Sequence, residues 1–447
     1  MKKTVARVLA LAFACLALAA PKDVTIPFKL FKLKNGLTLI LSEDHTAPTY
    51  SLAVVYNVGS RDEKAGRTGF AHLFEHMMFQ GSENAARGEH MALITENGGS
   101  QNGTTDNDRT LYFETLPANQ LDLGLFLEAD RMGKLAITQS NLDNQRNAVQ
   151  EERRLRVDNQ PYGKTFEAVD DLAFDTFAYK HSVIGSMDDL NAASLQDVQE
   201  FFKRYYAPNN ATIAIVGDFN TDEALAKVKN YFESIPSQPA PPRPDVSQPE
   251  QTAERRKQLE DPFAQFPRLD IVYRIPAGDS PDYYPLSVMS RILSSGQSSR
   301  LYQKLVKDAE VATSAGAFTG QRPGPSLEQI SVTVRPGKDL AAVEKMVYEE
   351  VARLQTQPVE DWEMDKVHMV LRRSQVSGAQ GTLNRAANLA ETYVEYGDAN
   401  LVNTEYAKLA AVSKADIQRV AKKYLVETNR SVVVTLPKAR PAGRAGQ

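Results

Sequence analysis

The sequence predicts an α+β fold of two homologous domains, each a mostly antiparallel sheet with helices packed on it. Three observations predict it: an internal repeat, a Pro-rich segment between the two copies, and an irregular alternation of β-branched runs with long helical patterns. The repeat pairs SLQDVQEFFKRYYAPNNATIAIVGDF, from Ser194, with SKADIQRVAKKYLVETNRSVVVTLPK, from Ser413, at a constant offset of 219 residues. Each copy begins as a capped helix and continues into a β-branched strand.

Six identities in register argue for duplicated domains: Ser194/Ser413, Asp197/Asp416, Gln199/Gln418, Lys203/Lys422, Tyr205/Tyr424 and Asn210/Asn429. Runs rich in Val, Ile, Thr and aromatic residues predict strands at Leu37–Ser42, Ser51–Tyr56, Thr110–Thr115, Ala211–Val216, Leu269–Arg274, Gln329–Val334 and Ser431–Thr435. Helices are predicted between them, at Gly69–Gln80, Pro117–Lys134 and Leu142–Val157.

Prolines and charges cluster from residue 236 to residue 262, which predicts an extended linker because proline fixes φ and lacks a backbone donor. The sequence therefore divides into a domain at 24–235, the linker at 236–262 and a second domain at 263–437. Residues 438–447, KARPAGRAGQ, are predicted to form a disordered tail.

The first nineteen residues are predicted to be a secretory signal peptide. Lys2, Lys3 and Arg7 precede an apolar run, and Ala17-Leu18-Ala19 is a small-x-small cleavage pattern. A buried N-terminal helix and a lipoprotein modified at Cys15 are the alternatives. Cleavage would remove the only cysteine, so no disulfide framework is expected. We expect export to the periplasm or beyond the cell, with no membrane span elsewhere; the formal net charge of −4 argues against a nucleic-acid partner.

The segment HLFEH places two of the six histidines of the chain four residues apart. On a helix, His72 and His76 share a face, and two imidazoles at this spacing fit two positions of a tetrahedral zinc site. Glu75 lies beside them as a candidate general base, and the order of these residues is a zinc-peptidase pattern. The alternative is a core helix that happens to carry polar residues, but burying them without a partner would cost several kcal/mol.

A catalytic zinc needs a third protein ligand. A second helix is predicted to begin at Ser140, with Asp143 three residues later, and to end before Pro161. Periodicity predicts that Val149 and Leu155 face inward, and position 152 lies three residues from each. We therefore expect Glu152, and not the adjacent Glu151, to be the third ligand.

These segments, with EERR, NQPYG and YYAPNNATIAIVGDF, resemble the pitrilysin, insulysin and mitochondrial processing peptidase family of inverted zincins, in its short bacterial branch. The resemblance runs from about Phe31 to Pro437 and implies two homologous α+β domains. It implies that one Zn²⁺ per chain is bound by His72, His76 and Glu152, with Glu75 as the base. Gln145 takes the place of a glutamate that the family often has beside a ligand. Asn102 and Gly103 resemble the edge on which the family binds substrate as an added strand.

The resemblance also shows a departure. Active members of the family supply an arginine, and a tyrosine seven residues later, from the other domain. The matching positions in GQSSRLYQKLVKDAEVATSAG are Val306 and Thr313, while Arg300 and Tyr302 are off the family's spacing and are expected to be structural. This departure favours a zinc-bearing subunit of a two-chain peptidase whose homologous partner supplies Arg and Tyr.

The predicted function is therefore zinc-dependent hydrolysis of short or unfolded peptides. Two alternatives remain: a self-sufficient, homodimeric peptidase, and a non-catalytic peptide-binding or scaffold subunit. The remaining histidines lack ligand spacing and are expected to be structural or exposed; they are His45, His90, His181 and His368.

Overall fold

A computed structural model describes residues 24–438 of the chain. The predicted signal peptide and all but the first residue of the predicted tail lie outside this range. The first half contains a six-stranded sheet and the second half a five-stranded sheet. Among the described residues, no helix is long and apolar enough to cross a membrane.

The first sheet has the strand order β1-β2-β6-β3-β5-β4, and its neighbours are antiparallel except for β2 and β6. Its strands are β1 (Lys29–Lys32), β2 (Thr38–Glu43), β3 (Thr49–Tyr56), β4 (Ser100–Thr105), β5 (Thr110–Pro117) and β6 (Ala211–Gly217). The helices of this half are α1 (Phe70–Met77), α2 (Glu89–Glu96), α3 (Leu121–Lys134), α4 (Gln139–Arg153), α5 (Gly163–Ala173), α6 (Phe177–Lys180), α7 (Met187–Ala192), α8 (Leu195–Tyr205) and α9 (Thr221–Phe232).

The second sheet has the order β7-β11-β8-β10-β9, and here β7 and β11 are the parallel pair. Its strands are β7 (Arg255–Asp261), β8 (Arg268–Ile275), β9 (Ala312–Thr319), β10 (Ser326–Val334) and β11 (Arg430–Pro437). Its helices are α10 (Tyr283–Ser294), α11 (Leu340–Thr356), α12 (Asp361–Gly378), α13 (Thr382–Tyr396), α14 (Leu401–Ala410) and α15 (Lys414–Tyr424).

The two sheets repeat one topology, since β7, β11, β8, β10 and β9 occupy the places of β2, β6, β3, β5 and β4. The offset of 219 residues carries β3 onto β8 from end to end. Ser194 and Ser413 both cap their helices, and each accepts a hydrogen bond from the backbone N–H of the aspartate three residues later. The predicted α+β class with two homologous units is confirmed.

Each sheet has helices of its own half on one face and a helix from the other half on the opposite face. On the first sheet, Ile40, Val55 and Val216 pack against Leu389 and Ala390 of α13. On the second sheet, Val272 and Val433 pack against Ala168 and Val169 of α5. We call this arrangement the helix exchange; it makes the apolar cores of the two halves depend on each other.

The segment between the two sheets is shorter than the linker predicted at 236–262. Arg255–Asp261 forms β7, which pairs along its whole length with β11. The strand was not predicted because it lies at a sheet edge and consists mostly of charged residues that are alternately half-buried and exposed. It therefore contains no run of β-branched residues. The edge strands β1, β4 and β9 were not predicted either. In β4 the reason is its sequence, SQNGTT, which lacks strand-forming apolar residues.

The contact between Asp44 and Arg385 of α13 gives the helix exchange a pH dependence. Hydrogen bonds from Thr46, and then from Arg385, lower the pKa of Asp44 to about 2. A carboxyl whose pKa is lower in the folded state stabilises the fold above its unfolded pKa of about 3.9 and loses that contribution as pH falls toward 2.

We expect Asp44→Asn to lower the free energy of unfolding at pH 7 by about 1 kcal/mol, and to have a much smaller effect at pH 2. Urea denaturation of wild type and variant at both pH values checks this. Asp365→Asn, at an exposed aspartate of α12, is the control and should be neutral at both. An equal loss at both pH values would contradict the assigned role of Asp44.

Candidate metal centre

The start of α1 is held by a carboxylate and by a close backbone contact. The buried Glu63 accepts hydrogen bonds from the backbone N–H groups of Gly69 (2.9 Å) and Ala71 (2.8 Å). Gly69 has a φ of 84°, and a Cβ there would lie 2.6 Å from the carbonyl oxygen of Ile184. The first turn of α1 therefore has one position, and this position directs the side chains that follow it.

His72 and His76 project from α1 on one face, with their ring centroids 4.8 Å apart. Glu152 Oε2 lies 3.6 Å from His72 Nε2 and 3.2 Å from His76 Nε2. One ligand atom from each residue lies within 4.8 Å of the other two, and all three side chains are partly buried. The structure thus brings together the three predicted ligands.

The donor set fits a zinc ion. Two ligands of one tetrahedral metal, each at about 2.0–2.2 Å, lie roughly 3.3–3.6 Å apart, which matches the spacing of these atoms. Burial lowers the pKa of His72 to about 4, so its imidazole is neutral near pH 7, the form that binds a metal. The hydrogen bond with His76 is the largest contribution that lowers the pKa of Glu152.

The helix that carries Glu152 begins earlier than predicted. Its N-cap is Thr138 and not Ser140. The Thr138 side chain accepts a hydrogen bond from the backbone N–H of Asn141. Val149 is buried as expected, but the expectation that Leu155 faces inward is wrong, since Leu155 is 57% exposed. Beyond α4 the chain widens into a π-helical turn at Arg154–Asp158, which breaks the 3.6-residue period used for that inference.

Glu152 nevertheless faces the two histidines, whereas the exposed Glu151 pairs with Arg154. The neighbouring Arg153 fixes this orientation by donating from Nη1 to the carbonyl oxygen of Gly185 (2.6 Å) and to Glu167 (2.6 Å). A Cβ at Gly185 would lie 2.5 Å from the Cα of Gly69, so Gly185 also packs against the start of α1. The two helices that carry the ligands are therefore tied to one backbone position.

The Glu75 side chain projects from α1 against the edge strand β4. Thr105 donates a hydrogen bond from Oγ1 to Glu75 Oε2 (2.7 Å), and burial raises the pKa of Glu75. A Cβ at Gly103 would lie 3.0 Å from Glu75 Cγ, so glycine leaves room for the carboxylate under the strand. Asn102 is exposed and, being adjacent in the strand, projects to the opposite face.

Two more side chains complete the surroundings of the ligands. Gln145 Oε1 lies 3.3 Å from His76 Nδ1, a distance at which the amide can accept a hydrogen bond from the ring. Arg156 forms an ion pair with Glu152, its Nη1 lying 2.7 Å from Oε1, which leaves Oε2 toward the histidines. The sequence identified Gln145 but not Thr105, Arg156 or Glu63. No motif includes these three residues, and their roles appear only in the contacts that they make in the structure.

Val306 and Thr313, which match the positions of the family's arginine and tyrosine, lie in the second half. Val306 is in a π-helical turn at Tyr302–Asp308, and Thr313 is on the edge strand β9. Arg300 forms two hydrogen bonds with Glu363, at 2.8 and 2.7 Å, within its own half.

The remaining histidines make other contacts. His45 is exposed and pairs with Asp218, and His181 Nε2 lies 3.0 Å from Glu63 Oε2. His90 is buried beside Glu114.

We expect Glu63→Gln to destabilise the protein by about 1–2 kcal/mol, because an amide has one acceptor oxygen for the two N–H groups at the start of α1. Chemical denaturation of the metal-free protein measures the effect without any contribution from a ligand. Glu151→Gln, an exposed glutamate near the site, is the matched control and should change stability by less than about 0.5 kcal/mol. Equal effects of the two substitutions would contradict the role of Glu63.

Both halves of the chain match known protein families. Residues 38–186 match the family described as insulinase, peptidase family M16, and residues 192–371 match the peptidase M16 inactive domain. The zinc protease PqqE of Helicobacter pylori is 28% identical over 408 residues, which cover 91% of this chain and 92% of that protein. A probable mitochondrial-processing peptidase subunit beta of Arabidopsis thaliana is 24% identical over 417 residues, covering 90% and 76%.

Solved structures show the same fold. The crystal structure of a protease from Helicobacter pylori superposes with a TM-score of 0.89 at 28% identity, covering 93% of this chain and all of that one. The first half of the periplasmic protease PqqL from Escherichia coli superposes with a TM-score of 0.75 at 18% identity, covering 93% of each chain. With both of its halves matched by models of one family, the chain belongs to the M16 family of peptidases.

Proposed function

We propose that this protein is a zinc-dependent endopeptidase that hydrolyses short or unfolded peptides. The observation that supports it most strongly is the convergence of His72, His76 and Glu152, with Glu75 on the same helix as the histidines. Two relatives that match nearly the whole chain are called zinc proteases, which agrees with zinc as the cofactor.

In this proposal His72, His76 and Glu152 hold the ion and Glu75 handles the proton. A bound Zn²⁺ supplies Lewis acidity and lowers the pKa of a water molecule toward about 7. Glu75 accepts the proton of the attacking water and returns it to the amine of the leaving fragment. Burial raises the pKa of Glu75 in the absence of metal, whereas the positive charge of a bound ion would lower it and favour the ionised carboxylate that accepts the proton. Thr105 keeps the carboxylate oriented.

The peptide would bind along β4. This strand is an edge of the first sheet, so one side of its backbone can pair with an added strand. Gly103 lies directly over Glu75, which would put a peptide paired with β4 beside the base. Recognition through backbone hydrogen bonds requires an extended peptide, which favours short or unfolded substrates.

We further propose a two-chain arrangement in which a homologous subunit supplies an arginine and a tyrosine. The support is that Val306 has no polar side chain and that the short Thr313 hydroxyl donates to the carbonyl oxygen of Thr333 (3.3 Å), so neither residue replaces an arginine or a tyrosine. A homodimeric peptidase and a non-catalytic peptide-binding subunit are the competing assignments. The predicted signal peptide supports a periplasmic or secreted location.

In an assay that contains the homologous chain, or this chain by itself where it cleaves unaided, we expect Glu75→Gln to lower the hydrolysis of an unfolded peptide by about 10²–10⁴-fold. Zinc content should stay at the wild-type value, because the residue is a base and not a ligand. Glu152→Gln should instead lower the zinc content, and Glu151→Gln should change neither quantity. Peptide cleavage followed by mass spectrometry, together with metal analysis, checks all three variants. Unchanged cleavage by Glu75→Gln would refute the mechanism.

The two-chain proposal predicts little cleavage by the purified, zinc-loaded chain alone. Cleavage should increase by about 10²-fold or more when a homologous chain that carries the arginine and tyrosine is added, since each oxyanion donor contributes roughly that factor. Strong cleavage by this chain alone, abolished by a chelator and by Glu75→Gln, would show that no partner is needed.

A further inference from the structure

A second cluster of potential ligands lies inside the first half, behind the strand that carries Gly103. It consists of His90 at the start of α2, Glu114 in the middle of β5 and Glu128 in α3, with Arg131 one turn after Glu128. The exposed fractions are 4% for His90, 1% for Glu114 and 0% for Glu128. A nearly solvent-free site with two carboxylates and an imidazole needs a compensating charge or hydrogen bond.

Arg131 forms hydrogen bonds with only one of the two carboxylates. Its guanidinium donates to both oxygens of Glu128, from Nε (2.9 Å) and from Nη2. Neither carboxylate oxygen of Glu114 has a hydrogen-bond partner among the described residues, and neither has His90 Nε2. Arg131 Nη1 also lacks a hydrogen-bond partner in the described part of the chain, so the single positive charge of the guanidinium lies near two carboxylates.

The spacing of the unpartnered atoms suits a shared metal better than a hydrogen bond. His90 Nε2 lies 3.7 Å from Glu114 Oε2, beyond the 2.7–3.2 Å range of an N–H···O bond. This is close to the separation expected for two ligands of one tetrahedral zinc, roughly 3.3–3.6 Å. The corresponding distance at the first centre, between His72 Nε2 and Glu152 Oε2, is 3.6 Å.

We propose that His90, Glu114 and Glu128 bind a second divalent transition-metal ion, for which Zn²⁺ is the species to test. The imidazole and the two carboxylates each supply one donor atom, so the protein offers three donors. Neither oxygen of Glu114 has another hydrogen-bond partner among the described residues, so either one is free to bind the ion. Burial lowers the pKa of His90 to about 2, so its imidazole is neutral and able to coordinate.

The ion would support the floor of the proposed peptide-binding edge. It would connect α2, β5 and α3, three elements that meet beside β4. Arg131, which pairs with the ligand Glu128, also stacks on Phe79 and Tyr112, with its Cζ 5.1 and 4.6 Å from the ring centroids. These two rings lie 3.4 and 3.3 Å from the position of a Cβ at Gly103.

The competing explanation is a proton on Glu114, since burial raises the pKa of this carboxyl. A neutral Glu114 would remove the unpaired charge without a metal. The two explanations differ in the metal content of the protein and in the effect of Glu114→Gln, because glutamine resembles a protonated glutamate in shape and charge.

The test is the zinc content of the full chain, saturated with Zn²⁺, freed of excess metal by gel filtration and measured by inductively coupled plasma mass spectrometry. We expect two equivalents in wild type, one in Glu114→Gln, one in Glu152→Gln and none in the double variant. One equivalent in wild type, lost in Glu152→Gln and retained in Glu114→Gln, would overturn the second site and support the proton. Because the wild-type value alone decides between one and two, the test does not depend on the folding of Glu114→Gln.

Removal by a chelator provides an independent measurement. The first centre is partly exposed, with 25% of the His76 side chain accessible, whereas His90 and Glu114 are 5% and 1% accessible in their side chains. We therefore expect EDTA to remove one equivalent quickly, and the second only when the protein is unfolded. Loss of all bound zinc in a single fast phase would contradict the buried site. Neither measurement uses peptide cleavage, so failure of the second site leaves the proposed peptidase function untouched.

Discussion

The contact between Gly69 and Gly185 is the constraint on which the metal centre depends. Gly69 precedes α1, and Gly185 accepts a hydrogen bond from Arg153 at the end of α4. The two backbones touch so closely that neither position has space for a side chain. The histidines come from one of these helices and Glu152 from the other. Any shift at the glycine contact would change the distance between them, and metal coordination tolerates deviations of only about 0.2 Å.

The sequence predicted the parts of the protein whose cause is local. The capped helices at Ser194 and Ser413, the β-branched strands and the shared face of His72 and His76 follow from residue order alone. Contacts between separate segments were not predictable, which is why Thr105 and Glu63 were missed. Arg156 lies four residues after Glu152, so helical spacing could have suggested their ion pair. Glu152 was selected partly through the inward orientation of Leu155, which is wrong, and it faces the histidines because of how α4 is anchored.

The duplication also shows why the site occurs once. At the offset of 219 residues, Arg291, Ser294 and Ser295 stand where His72, Glu75 and His76 stand in the first half, and Leu371 stands for Glu152. None of these provides a comparable ligand set. The second copy has kept the sheet and the helix packing but not the chemistry, in agreement with its match to a domain described as inactive.

The helix exchange has a consequence for movement. A hinge that separated the two halves would pull α13 off the first sheet and α5 off the second, exposing Leu389, Val169 and the strands beneath them to water. The cost of exposing buried apolar surface, about 25 cal/mol per Å², makes such an opening improbable without unfolding. Any movement of one half relative to the other therefore has to disrupt both apolar contacts at once, which couples such movement to the stability of both sheets.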